Sequence, residues 1–186
     1  PQAEVVRLDW NSVDALEAAC SGADVVIQAA GMNAQDCAVD PVAALMVNGV
    51  ATARLMEAAS RVAVKRFVYL STAHVYASSL KGRVDEETCP RNLHPYATSR
   101  LAAENAVLGA SRQGGTQGIV LRLSNGFGAP AHRDANCWML LVNGLCKQAV
   151  GAGQMILQST GLQHRDFIAM SEICRLTESL IDRSFD

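Results

Sequence analysis

The chain has 186 residues, 49% of them hydrophobic and only 5% aromatic, enough for one domain with an Ala/Val/Leu core. A net charge of -2 and the lack of any Lys/Arg run argue against nucleic acid or an anionic membrane as partner and leave a small molecule as the expected one. No stretch approaches the roughly 18 uninterrupted apolar residues of a membrane span, and no basic segment leads into an apolar signal core, so a cytoplasmic protein is expected.

In chain order, short apolar runs alternate with helical patterns. Val5-Val6-Arg7-Leu8, Val25-Val26-Ile27-Gln28-Ala29-Ala30, Phe67-Val68-Tyr69-Leu70-Ser71 and Gly118-Ile119-Val120-Leu121-Arg122-Leu123 read as strands. Three of them are nearly continuous apolar runs, the kind buried on both faces of a parallel sheet. Asn11 is placed to cap a helix with Asp14 at its third position, and Asp40-Pro41 opens another helix expected to reach about Arg61. A further helix is expected from near Pro95 through Leu108, ending before Gly114-Gly115.

This alternation is the doubly wound α/β plan, in which ligands bind outside the carboxyl ends of the strands. Three such ends carry small or polar residues: Ala29-Ala30-Gly31, Ser71-Thr72 and Ser124-Asn125-Gly126. Small side chains at 29–31 let a flat ligand reach the backbone, or serve packing alone. The six cysteines, at 20, 37, 89, 137, 146 and 174, show no zinc-ligand spacing. They read as reduced thiols, most of them packed as small buried hydrophobes, and no metal site is expected.

The candidate chemistry lies in His94-Pro95-Tyr96-Ala97-Thr98-Ser99-Arg100. Tyr96 and Arg100 share a helix face, and a fixed cation beside a phenol favours its charged form, as a general acid or base requires. Taken alone, the same spacing also describes an ordinary surface pair.

The strand followed by Ala29-Ala30-Gly31, the helix holding Val47-Asn48-Gly49, the stretch Tyr69-Leu70-Ser71-Thr72-Ala73-His74-Val75-Tyr76-Ala77, and Tyr96-Ala97-Thr98-Ser99-Arg100 follow one another in a specific order. Leu121-Arg122-Leu123-Ser124-Asn125-Gly126-Phe127-Gly128-Ala129-Pro130 and His164-Arg165-Asp166-Phe167-Ile168 continue it. In this order and spacing the chain resembles an extended short-chain dehydrogenase/reductase of the NAD-dependent epimerase/dehydratase family. The resemblance implies a Rossmann-type doubly wound parallel sheet, with the beginning of a substrate-binding region from about residue 126 to 186.

By resemblance, Tyr96 matches the catalytic tyrosine, and Thr72 the residue whose hydroxyl bonds the reacting sugar oxygen. Ala29, Ala30, Gly31, Ser71 and Leu123 match positions along NAD, with NADP left open; Tyr96 and Arg100 match cofactor-side positions too, Arg100 able to hydrogen-bond ribose hydroxyls; and Asn48 matches a helix asparagine that lies near the site or is only a structural hydrogen-bonder. Asn125, Asn136 and Arg165 match contacts to a nucleotide-diphosphate sugar, although Arg165 could instead pair with Asp166. His74 is a second titrating candidate near the substrate, or an exposed turn residue. The resemblance also allows a homodimer.

Two departures stand out. Arg100 occupies the place of the family's lysine, keeping its charge in a bulkier planar group. The chain begins near the family's third strand and stops soon after Arg165-Asp166-Phe167, so the glycine-rich phosphate loop is not among these residues, and a partial domain of a longer polypeptide is expected. Within the family, 4,6-dehydratases carry an Asp-Glu pair after the catalytic threonine, whereas here Ala73-His74 follows Thr72. An epimerase is therefore expected, with a related sugar-nucleotide reductase or dehydratase, or a non-catalytic NAD(P)-binding scaffold, as the alternatives.

Overall fold

The computed structural model describes residues 3–76, 82–132 and 134–182. Ala77, which closes the motif read from the sequence, lies outside them. The chain divides into two compact units, the first ending at Arg122 and the second beginning at Leu123.

The first unit opens with helix α1 (Val13–Cys20), capped by Ser12, whose Oγ accepts the Ala15 N–H. The cap is thus one residue later than expected, because the Asn11 amide oxygen is taken by Arg54 at 2.8 Å. Strand β1 (Val25–Gln28) leads to the short helix α2 (Ala34–Val39), capped by Asn33, and then to α3 (Pro41–Ala44), capped by Asp40 with Pro41 at its first position. The backbone continues through a π-helical turn, Leu45–Val50, into α4 (Ala51–Arg61). By length and composition this stretch, Pro41–Arg61, could cross a bilayer. It is instead the core helix of this unit: Ala44, Asn48, Thr52, Leu55, Met56 and Ala59 are buried.

Strand β2 (Arg66–Thr72) is followed by a 3₁₀ turn, Ala73–Val75, then α5 (Pro95–Arg112) and β3 (Gln117–Leu123). The sheet order is β1-β2-β3, and β1 runs parallel to β2 from Val25↔Arg66 to Gln28↔Tyr69. Among the described strands of this sheet, β2 alone is buried on both faces, with Phe67, Val68 and Tyr69 fully enclosed. The flanking strands are less covered than their apolar runs promised: Ile27 of β1 is exposed, and β3 is half-buried along most of its length. Leu16, Cys20, Leu55, Met56, Phe67, Tyr69, Ala103 and Val107 form the core, joining α1, α4, β2 and α5.

Residues 5–8 form no strand. Val5 and Val6 are exposed, and a strand exists only where its backbone pairs with a neighbour, which this segment lacks among the described residues. The cysteines also divide differently from expectation: Cys20 and Cys37 are buried, but Cys89, Cys146 and Cys174 are exposed.

In the second unit, β4 (Asn125–Phe127) pairs in parallel with β5 (Phe167–Ala169), accompanied by α6 (Leu141–Ala152) and α7 (Met170–Asp182). Asn143 of α6 clamps Gly128 from both sides of its peptide, accepting its N–H at 3.1 Å and donating to its carbonyl at 2.9 Å.

Candidate functional site

Helix α5 starts where the expected proton carrier sits. His94 caps it, with Nδ1 accepting the Tyr96 backbone N–H at 3.2 Å, and Pro95 presets the first helical residue. One turn on, the Arg100 side chain points inward to the strand ends and is only 7% exposed. Its Nη1 donates to Tyr69 Oη at 3.4 Å and to the Leu70 carbonyl at 3.3 Å. Its Cζ lies 5.3 Å from the centroid of the Tyr96 ring and 5.9 Å from that of Tyr69, within reach of both ring faces. Nε has no hydrogen-bond partner among the described residues. Burial pushes the Tyr69 phenol above its ordinary value of 10.0, against the opposing charge and hydrogen bond of Arg100.

Thr72 ends β2, buried, with Oγ1 accepting the His74 N–H at 3.1 Å. A hydroxyl has one hydrogen to give, and among the described residues that of Thr72 has no acceptor. The His74 ring meets the Tyr96 ring edge-on at 6.3 Å, and the His74 carbonyl takes Asn92 Nδ2 at 2.7 Å. Thr72, His74, Tyr96 and Arg100 are therefore gathered at the carboxyl end of β2.

Asn48 is fully buried on the π-helical turn, and both ends of its amide are occupied by the protein. Oδ1 accepts the Met32 N–H at 2.8 Å, and Nδ2 donates to Ser99 Oγ at 2.9 Å. Ser99 in turn donates to the Tyr96 carbonyl at 3.1 Å.

Past the end of β1, Ala29, Ala30 and Gly31 form a solvent-open shelf of small residues. At Gly31 a Cβ would lie 2.5 Å from Arg100 Nη2 and 2.6 Å from Asn48 Oδ1, so this position admits hydrogen and little else without displacing one of them. Beside the shelf is a mainly apolar pocket of about 340 Å³, lined by Trp10, Gln28, Ala30, Met46, Ala51 and Arg54 among others. Gln28 is buried and braces the shelf, accepting the Ala30 N–H at 3.2 Å and donating to Thr52 Oγ1 at 3.2 Å.

Behind the site, Ser71 Oγ donates to Glu104 Oε1 at 2.5 Å. The other carboxylate oxygen of Glu104, fully buried, takes Nε and Nη2 of Arg122 at 2.9 and 2.7 Å. Arg122 Nη1 reaches Tyr76 Oη at 2.8 Å. Burial alone works against the Arg122 charge, but its bonds to Glu104 and Tyr76 outweigh that and hold the guanidinium above its ordinary value.

The remaining expected residues belong to the second unit. Leu123 is half-buried at its start, Asn125 Nδ2 donates to the Asp166 carbonyl at 2.8 Å, and Asn136 is exposed in a loop. Arg165 is exposed and donates to Gln163 Oε1 at 3.3 Å rather than pairing with Asp166.

Tyr69, Gln28, Glu104 and Arg122 were not singled out from the sequence. Tyr69 reads as one more aromatic in a buried strand. Glu104 carried one legible signal, its place four residues after Arg100 on the same helix face.

These features define a class, the Rossmann-type α/β proteins with a tyrosine and a cation at the strand ends. The chain belongs to the NAD dependent epimerase/dehydratase family, whose model matches residues 1–184. It is 27% identical over 177 residues to a dTDP-glucose 4,6-dehydratase of Streptomyces niveus, covering 95% of this chain and 51% of the relative. Among solved structures it is similar to MoeE5 in complex with UDP-glucose and NAD, at 29% identity and a TM-score of 0.78, covering 96% of this chain and 60% of that one. A UDP-glucuronic acid 4-epimerase of Bacillus cereus has the same fold, at 23% identity and a TM-score of 0.80, with 96% and 55% covered. The chain thus spans about half the length of the dehydratase and somewhat more of the solved structures.

Proposed function

We propose that this chain carries the proton-transfer and cofactor-shelf part of a NAD-dependent nucleotide-sugar epimerase. The observation that carries the reading is the placement of the Arg100 guanidinium 5.3 Å from the Tyr96 ring, at the same end of β2 as Thr72, whose hydroxyl hydrogen has no acceptor among the described residues. In this reading Tyr96 takes the proton from the sugar hydroxyl that is oxidised and returns it afterwards. Thr72 donates to the same sugar oxygen, and Arg100 supplies positive charge beside the proton carrier. Asn48 is a positioning residue, holding the shelf and α5 at a fixed separation.

The residues present fit a dinucleotide. Ala29 to Gly31 expose backbone without bulky side chains, and the adjoining pocket has the mainly apolar walls that suit a flat ring, with Arg54 among them. NAD bound there supplies oxidation of the sugar carbon and its reversal by hydride transfer. Asn125, Asn136 and Arg165 are assigned to the nucleotide-diphosphate part of the substrate, where an arginine fork suits phosphate.

Relatives include 4,6-dehydratases, but Thr72 is followed by Ala73 and His74, neither of which offers the carboxylate pair for water elimination. A non-catalytic NAD(P)-binding scaffold is the second reading, favoured by arginine standing where the family has lysine.

The test uses the full-length protein with NAD and UDP-glucose or dTDP-glucose, following the sugar by NMR. A 4-epimer is the expected product, and Tyr96→Phe should lower turnover by about 100-fold or more while leaving NAD bound. A 4-keto-6-deoxy sugar would replace epimerase by dehydratase. NAD binding without any turnover would favour the scaffold.

A further inference from the structure

A guanidinium that is 7% exposed needs acceptors for a rigid fork of donors, and at Arg100 the protein supplies few. Among the described residues Nη1 has Tyr69 Oη and the Leu70 carbonyl, Nε has no partner, and Nη2 sits against the space left open by the missing side chain of Gly31. Tyr69 is fully enclosed in the core, where a phenylalanine would pack equally well and would bury no hydroxyl. The hydroxyl is justified by its partner among the described residues, Arg100.

We propose that Tyr69 is a positioning residue: its buried hydroxyl holds the Arg100 guanidinium against Gly31 and beside the Tyr96 ring, and this hold is what lets the site work with arginine in place of lysine. A lysine would not depend on it, since an ammonium is a compact charge on a flexible stem with rotatable donors. Gly31 is the third wall of the same arrangement. A methyl group there must push the guanidinium or Asn48 aside.

The inference rests on the reading of Tyr96 and Arg100 as the proton-transfer pair, and its test separates the two. In the full-length protein, without substrate or cofactor, the Arg100 Nε–H resonance is identified by its loss in Arg100→Lys, and its hydrogen exchange is measured in wild type and Tyr69→Phe. Exchange at least about 10-fold faster in Tyr69→Phe is expected, with circular dichroism unchanged because phenylalanine fills the same space. In turnover, Tyr69→Phe should lower kcat by about 10-fold with KM changed less than roughly two-fold. In the Arg100→Lys background the same substitution should change kcat by less than roughly two-fold. Unchanged exchange in Tyr69→Phe, or an equal kcat loss in both backgrounds, would overturn the proposal. A wild-type protein with no turnover on any nucleotide sugar would sink the epimerase reading, and the exchange measurement would still decide whether Tyr69 holds Arg100.

Discussion

Asn48 Nδ2 donates to Ser99 Oγ at 2.9 Å, tying the π-helical turn to α5 one residue before Arg100. Because Oδ1 of the same amide holds the Met32 N–H, one buried side chain sets the distance between the shelf after β1 and the helix bearing Tyr96.

Asn48→Ala should therefore destabilise the protein by about 2 kcal/mol, since it strips partners from the Met32 N–H and the Ser99 hydroxyl and opens a small cavity. Urea unfolding gives the number directly. A loss under about 0.5 kcal/mol would mean that water replaces the amide without penalty.

Glu104 is a fully buried carboxylate whose charge is matched by Arg122, so Glu104→Gln should cost about 3 kcal/mol by leaving the cation with a neutral neighbour. The pair Glu104→Gln with Arg122→Gln should be less damaging than the sum of the two single changes, by at least about 1 kcal/mol. Strictly additive losses in a double-mutant cycle would show that the ion pair contributes nothing of its own.

Ala63 offers a stabilising change. It follows α4 at φ 60, with its N–H on the Ser60 carbonyl and the Val64 N–H on the Ala59 carbonyl, the paired bonds that close a helix through a left-handed residue. Alanine is strained there and glycine is not, although glycine gives the unfolded chain more freedom. The balance favours Ala63→Gly by about 0.5–1 kcal/mol, and a melting temperature below that of wild type would contradict it.

Alkaline solution should weaken the fold. Burial pushes the Cys20 thiol above its ordinary 9.0 and is the largest influence raising the Tyr69 phenol above 10.0. Both groups then keep their protons longer in the folded chain than in the unfolded one. Their contribution is complete below those ordinary values and is lost as pH rises through the higher folded ones. Melting temperatures measured from about pH 7 to 11 should fall at the alkaline end, and less steeply in Cys20→Ala with Tyr69→Phe. Equal slopes in both proteins would assign the fall to other groups.

The sequence displays the parts of this fold that depend on local chemistry. The buried run of β2, the Asp40-Pro41 start, and the α5 helix between Pro95 and Gly114 are all visible, because caps, proline and glycine act within a few residues. The shared face of Tyr96 and Arg100 follows from helical spacing alone. What stays hidden is pairing over distance. Residues 5–8 have a strand's composition but no partner among the described residues, and nothing local separates Asn11 from Ser12 as a cap until Arg54 takes one of them. The bond from Tyr69 to Arg100 and the pairing of Glu104 with Arg122 join residues 31 and 18 positions apart, and no periodicity announces either.

The π-helical turn at Leu45–Val50 also governs how this part of the chain tolerates a change in length. Such a turn is a one-residue insertion absorbed inside a helix, and here it follows buried Ala44 and puts the adjacent residues Asn48 and Gly49 both inward. Deleting one residue from it would restore regular winding and leave the flanking turns in phase, but would remove the wide turn that carries the extra residue. The regular helix would offer one inward position where the turn now offers two, and the Asn48 amide would lose its place between the Met32 N–H and the Ser99 hydroxyl. Single-residue gaps in this segment are therefore markers of a differently built site, and an alignment that places one there should not carry the role of Asn48 across it.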